Sequence, residues 1–545
     1  MDFMMRKFLR HIVVIALLVA GSAHTAAAQK TPRLVVNIVV SSLGANDLEQ
    51  YESNFTSTGF RRLLYGGQRF TNASYDYMQT TTPVSLATLT TGAMPSIHGV
   101  VGERWFDYVD NSLISLIDDN QEHSVNYSSG TGNYSPRNLI AETLTDALAR
   151  QSANSRIATI AVDPLSAVVM AGHSGEVYWM ERVQTDWTTS SYYTETLPEW
   201  IAEYNDKDRN QNYSIKRWTT LLPYDSYRNS QVSVIEGLQS KTNKQIVHVQ
   251  ENELPKELMD IIHYQMCYTP AGNSATLAFA RELISKNEMG KDDVPDMINI
   301  VLDTPRMISS LYGPESVEYE DMIYRLDRDL EEFFTFLATQ VKESRQLMVV
   351  LTSDHGTSPS YNGSKRKMER FNVRQAEVIT NAFIGSMHGN GEWVLGCIDH
   401  SIYLNHNLII DKGLSLSTIQ NDVATFVMQL RGVSQAITAE SLRGSYFGGG
   451  YGRKIQNGFY ARRSGDVVIN LMPGWIDEVD GVRSTSGSMY RYDSQVPLII
   501  YGGNTKAVER DEAFDMTSLA ATEAHILGIA APSAAEGHKT TIIYE

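Results

Sequence analysis

Thr80-Thr81-Thr82-Pro83-Val84-Ser85-Leu86-Ala87-Thr88-Leu89-Thr90-Thr91-Gly92-Ala93-Met94-Pro95-Ser96-Ile97-His98-Gly99 sets hydroxyls in a loop, then a helix-compatible run, then a Gly-x-x-Pro-x-x-His-Gly exit. A threonine at a helix N-terminus, here Thr82, is placed as a nucleophile, because the unpaired backbone N–H groups and the dipole there favour an anion. The same residue also reads as an ordinary N-cap, its hydroxyl serving only to satisfy a backbone donor. The rest of the chain has to decide between the two.

Other segments fall in a set order: Pro32 to Val40, Ala171-Gly172-His173, Thr269 to Asn273, Gly313 to Asp321, Leu351 to Gly356, Arg463 to Asp466, Met472 to Trp475 and Tyr492 to Pro497. Together with the Thr82 stretch they resemble the alkaline phosphatase superfamily, specifically its secreted phosphate-irrepressible monoesterases, over nearly the whole chain. The resemblance implies an α/β sandwich with a mostly parallel central sheet, helices on both faces and an inserted cap at about 175–275. It implies Thr82 as the equivalent of a nucleophile that attacks phosphorus between two zinc ions.

The strand patterns agree with that fold. Leu34 to Val40, Ile157 to Val162, Met297 to Leu302 and Leu347 to Thr352 are short apolar runs, as expected of strands buried on both faces of a parallel sheet. Apolar spacing predicts a helix over Leu139 to Gln151. Asp354-His355 follows the last of these strands, at the strand edge where open α/β sheets bind ligands.

Carried over position by position, the resemblance meets substitutions. The family's zinc-binding aspartate after the first strand is Ser41 here, and Asp47 lies six residues on. Its Asp-x-x-x-His pair falls on Arg306 and Ser310, with Asp303 three residues out of register. Its last zinc-binding histidine is Ser486. Asp354 and His355 alone remain of the six ligands besides the nucleophile. The substrate clamp has changed as well. The asparagine that donates to a phosphoryl oxygen becomes Glu103, which ionised cannot donate and which reads equally as a solvated surface glutamate. The Lys-x-Arg pair becomes Asp163 and Leu165.

Two ligands and a neutral threonine give little basis for a dinuclear site, since zinc is ordinarily held by three or more protein ligands. The expectation is no cofactor, or at most one weakly held divalent cation. Arg306 is expected to stand near a vacated zinc position and to pair with Asp354. Two functions compete: a degenerate pseudophosphatase that keeps its pocket for a small-molecule or protein partner, and a phosphoric or sulfuric ester hydrolase using Thr82 with a reduced metal site.

Composition bounds the rest. The 545 residues are 42% hydrophobic, enough for a large core. Residues 1–28 read as a secretory signal, with Arg6, Lys7 and Arg10 ahead of an apolar run too short to span a bilayer and Ala26-Ala27-Ala28 at its exit. Its removal takes away three positive charges and one negative, moving the formal charge from −17 to −19. A periplasmic or secreted protein is expected, with no membrane span. Such acidity also argues against nucleic acid as a partner. Cys267 and Cys397 either form one disulfide or stay as two thiols. Tyr178, Trp179, Trp187, Tyr192, Tyr193, Trp200 and Trp218 are expected to pack the cap, and Gly448 to Gly452 to form a turn. No Gly-x-Ser-x-Gly, His-Glu-x-x-His or Walker element is present.

Overall fold

The computed structural model describes residues 31–126, 132–182, 185–207, 217–229, 247–249, 264–341, 343, 346–361 and 368–544. The expected signal segment lies outside them. Strands are numbered here for the two larger sheets: β1 Leu34–Val40, β2 Gln68–Ser74, β3 Ile157–Ala161, β4 Glu176–Met180, β5 Trp187–Thr188, β6 Asp296–Leu302, β7 Leu347–Thr352, β8 Val394–Ile398, β9 Ser401–Leu404, β10 Val433–Thr438, β11 Val467–Leu471, β12 Gln495–Gly502, β13 Val508–Arg510 and β14 Phe514–Asp515. The helices that matter for the site are α1 Thr82–Thr91, α2 Leu144–Gln151, α3 Pro164–Ala171, α4 Thr304–Tyr312 and α5 Ser518–Leu527.

The main sheet runs β13-β2-β12-β7-β1-β6-β3-β4-β5, with β14 on β2. Its centre, β7-β1-β6-β3-β4, is parallel throughout. β12 enters antiparallel to both β7 and β2. Alternate residues of β1 feed two cores: Leu34, Val36, Ile38 and Val40 pack on one face, Val35 and Val39 on the other. The first core takes helices Ala271–Lys286 and Val317–Gln340, and the second takes α1, α2, α3 and α5. Burial on both faces is why these strands read as unbroken apolar runs.

An antiparallel four-stranded sheet, β8-β9-β11-β10, forms a second layer with its own core under helices Val373–His388 and Leu416–Val427. The main sheet continues through β4 and β5, within the stretch expected to be inserted. Trp187 and Trp200 stack on Phe279, while Tyr178, Trp179 and Trp218 are buried. Both cysteines are free: Cys267 lies in the main core beside Met180, and Cys397 lies in β8 of the second layer.

Two local expectations shift. The helix predicted from Leu139 starts at Leu144, because Thr143 accepts from the Asp146 N–H while Asp146 accepts from the Thr143 N–H, a reciprocal box that sets the first turn. Helix Gly450–Asn457 begins inside the glycine stretch expected to be a turn. α1 ends at Gly92, whose φ of 70° is the left-handed cap that glycine adopts without a Cβ penalty.

The buried Thr143 hydroxyl also donates to the Ala171 carbonyl at 3.0 Å, tying α2 to the end of α3. Thr143→Ala should therefore lower stability by about 2 kcal/mol, the upper end for a lost cap, and Thr143→Ser should recover most of it in urea unfolding.

Candidate functional site

Register assembles the site. Val40 lies opposite Leu302, Val39 opposite Thr352 and Val301 opposite Ala161. The residues just past these strand ends, Ser41, Asp303, Asp354 and Asp163, therefore come together along one edge of the sheet.

Asp354 is fully buried, yet its charge is well provided for. Ser41 Oγ donates to Oδ2 at 2.7 Å, and the N–H groups of Ser42 and His355 donate to Oδ1 at 3.0 and 2.8 Å. Burial opposes ionisation, but the neighbouring His355 ring, the Ser41 and Ser42 hydrogen bonds and the field of Arg306 outweigh it and hold this carboxyl below the usual range. The Ser42 bond depends on a left-handed turn, φ 67°, directly after β1. Gly356 follows because any Cβ there would lie 2.1 Å from the Tyr492 carbonyl oxygen.

His355 Nδ1 donates to the Gly356 carbonyl at 2.6 Å, which in the neutral ring leaves Nε2 as an acceptor. Thr82 Oγ1 lies 3.1 Å from that nitrogen and Ser486 Oγ 3.4 Å. Thr82 is the first residue of α1. No side chain caps this helix, so the Thr82 hydroxyl faces the imidazole instead of acting as a cap.

Arg306 departs from expectation. Its guanidinium does not reach Asp354 but pairs through Nη2 with Asp163 Oδ2 at 2.8 Å and Asp303 Oδ1 at 3.4 Å, acting on Asp354 only through its field. The reason lies in Asp303, which the motif alignment set aside as out of register. Asp303 follows the end of β6, accepts from Ser166 Oγ at 2.6 Å and from the Asp163 N–H at 3.0 Å, and stands one helical turn before Arg306. Burial pushes the Asp303 carboxyl up, with Arg306 working against it. The two acids hold the Arg306 guanidinium firmly charged against its own burial. A signal for Asp303 was present in the sequence: Asp-Thr-Pro after a buried strand is a helix start.

The remaining positions scatter. Asp163 N-caps α3 by accepting from the Leu165 N–H, and Leu165 is buried. Ser310 sits on α4, its carbonyl accepting from the Arg483 N–H, and takes no part in the hydrogen bonds around Asp354. Glu103 is exposed, and its charge is felt by Asp399 rather than by the Arg306 cluster. Asp47 accepts from the Gly44 N–H and the Tyr319 hydroxyl, and burial raises it to about 6.

The donor set does not fit two zinc ions. Asp354 already has donors on both oxygens, His355 Nε2 is placed against the Thr82 and Ser486 hydroxyls and 3.4 Å from Asp354 Oδ2, and Ser41, Ser310, Ser486 and Arg306 offer no thiolate, imidazole or carboxylate.

A family model described as type I phosphodiesterase / nucleotide pyrophosphatase matches residues 35–478. Alkaline phosphatase PafA of Elizabethkingia meningoseptica is 28% identical, with 98% of each chain covered. Alkaline phosphatase PhoV of Synechococcus elongatus is 26% identical over 94% of this chain and 92% of its own. The crystal structure of wild-type PafA superposes with a TM-score of 0.85 at 27% identity, covering 94% of this chain and 99% of that one.

Removing Arg306 strands Asp163 and Asp303 side by side. Arg306→Ala should cost about 2 kcal/mol in urea unfolding, between an exposed pair and a fully buried one, because 29% of the Arg306 side chain is exposed and Asp303 can take up a proton. Reversing both partners, Arg306→Asp with Asp163→Arg, should recover more than half of the loss seen in either single reversal. Additive losses would show that the two residues do not act as a pair.

Proposed function

We infer, for a chain that belongs to the type I phosphodiesterase / nucleotide pyrophosphatase family and shares the alkaline phosphatase fold, that it is a degenerate phosphatase which keeps the fold and pocket to bind a small molecule or protein partner. The observation that carries this reading is the Arg306–Asp163 ion pair. Where the resembling phosphatases have an acidic zinc ligand this chain has Arg306, and where they have the two cations of the substrate clamp it has the acid Asp163 and the apolar Leu165, so the sign reverses at 306 and 163. The two changes compensate each other, which supports a pocket kept folded without metal. A switch of substrate within the same chemistry would be expected to alter the clamp and keep the metal ligands.

Asp354 supports the same reading. In a zinc site its oxygens would face the ion, whereas here Ser41 Oγ–H donates to one of them. A hydroxyl at position 41 thus serves the buried carboxylate that remains. Export is part of the proposal and rests on the N-terminal segment. No described helix is long and apolar enough to cross a membrane.

A second reading has its own observation. Thr82 Oγ1 within hydrogen-bond reach of His355 Nε2 is a nucleophile beside a base, which favours a residual phosphoric or sulfuric ester hydrolase.

Elemental analysis separates the two. Purified without chelator, the protein should hold well under one zinc per chain, and stoichiometric zinc would overturn the first reading. Turnover of an aryl phosphate monoester should stay at background and be unchanged by Thr82→Ala. A saturable activity that this substitution abolishes would establish the second reading instead.

A further inference from the structure

A polar row crosses the centre of the otherwise apolar main sheet. Thr159 of β3, Asn299 of β6 and Asn37 of β1 stand opposite one another in register. Asn37 Nδ2 donates to Asn299 Oδ1 at 3.0 Å, and Asn299 Nδ2 donates to Thr159 Oγ1 at 3.0 Å and to Thr145 Oγ1 of α2 at 3.2 Å. The row runs out of donors at Asn37 Oδ1, which is buried without a partner.

Glu523 of α5 closes over that end. Its carboxyl is within hydrogen-bonding reach of the Asn37 side chain, and both residues line a small internal cavity with Thr90, Thr145 and Asn299. Glu523 and Asn37 are each only 4% exposed. Glu523 Oε2, like Asn37 Oδ1, has no partner. Among the described residues these are two acceptors without a partner in one buried pocket, which is costly, and a proton on the carboxyl supplies the donor that the pocket lacks.

We propose that Glu523 is held as a neutral carboxylic acid whose proton completes a hydrogen-bonded relay, Glu523 to Asn37 to Asn299 to Thr159, and that losing this proton as the medium turns alkaline loosens α5 from the sheet. Among the described residues no charge packed around Glu523 offers a counter-ion: the segment after α5, whose Thr540 N–H donates to Thr522 Oγ1, carries Glu536, which accepts from the Met94 N–H, and His538 and Lys539, all three exposed. α1, α3, β1 and β7 carry no charged residue, and Asp296 begins β6 far from its midpoint. On α2, Asp146 is occupied by Thr143 and His173, and Arg150 by Glu142. His525 on α5 is exposed, and Asp515 of β14 accepts from Thr517. Burial, with nothing but the Asn37 contact against it, pushes the Glu523 carboxyl up to about 7.

The sign follows from linkage. An acid with a raised folded pKa binds its proton more tightly in the native state, so its stabilising contribution is full below the ordinary value of 4.5 and is lost as pH rises through about 7. Glu523→Gln keeps a donor for Asn37 at every pH. Thermal unfolding from pH 5 to 9 should show its Tm gaining on that of the wild type as pH rises through about 7, then holding level. Glu523→Leu, without donor or charge, should show the same pH step from a different baseline. A difference from wild type that does not change with pH overturns the proposal.

Infrared spectroscopy of wild-type protein labelled with [13C]glutamate decides independently of whether the variants fold. One protonated glutamate C=O band should be present at pH 6 and gone at pH 9. Glutamate carboxyls all ionised at pH 6 would mean a buried carboxylate bridged to Asn37 by a water donor, and would overturn the proposal.

Discussion

Burial of the central strands on both faces, with their parallel register, is the constraint on which the rest of the molecule depends. β1, β6 and β7 are buried end to end, so their backbone hydrogen bonds must be made with one another. That pairing fixes their ends. Because Leu302 faces Val40 and Thr352 faces Val39, the turns carrying Ser41, Asp303 and Asp354 have to emerge together. The parallel arrangement also sends every one of these ends to the same edge, the edge that ligands use in open α/β sheets.

Gathering acids at one edge creates a charge problem, and two separate devices answer it. Asp354 is neutralised by hydrogen bonds, from a serine hydroxyl and two backbone N–H groups. Asp163 and Asp303 are neutralised by Arg306. Both needs are met by the chain's own groups. The same low-dielectric interior that makes these pairings necessary also bears on Glu523, where no cation is near and the remaining remedy is a proton.

Four central strands, β1, β3, β6 and β7, the helix behind Thr82 and the edge holding Asp354 and His355 were legible in the sequence. Short apolar runs ending in polar residues can be recognised without knowing their neighbours. The second layer is less legible because its outer strands, β8 and β10, are only partly buried, and half-buried antiparallel strands leave a weaker pattern than fully buried ones. The start of α2 was misjudged by five residues because a capping box, not hydrophobic spacing, sets it.

Identity by identity, the sequence alone determined which chemistry is present at the site: a threonine at a helix start, an Asp-His pair, serines, an arginine and further acids. Those are properties of residue type and order. What only the tertiary structure decided is partnership. Arg306 was expected beside Asp354 and instead closes on Asp163 and Asp303, because pairing between β6 and β3, strands separated by more than a hundred residues, sets Asp303 against Asp163. Asn37 reads as a lone polar residue in an apolar strand until the register sets Asn299 beside it and α5 brings Glu523 over it. Charge and hydrogen-bonding capacity belong to single residues, whereas the distance over which they act is fixed only when distant segments pack.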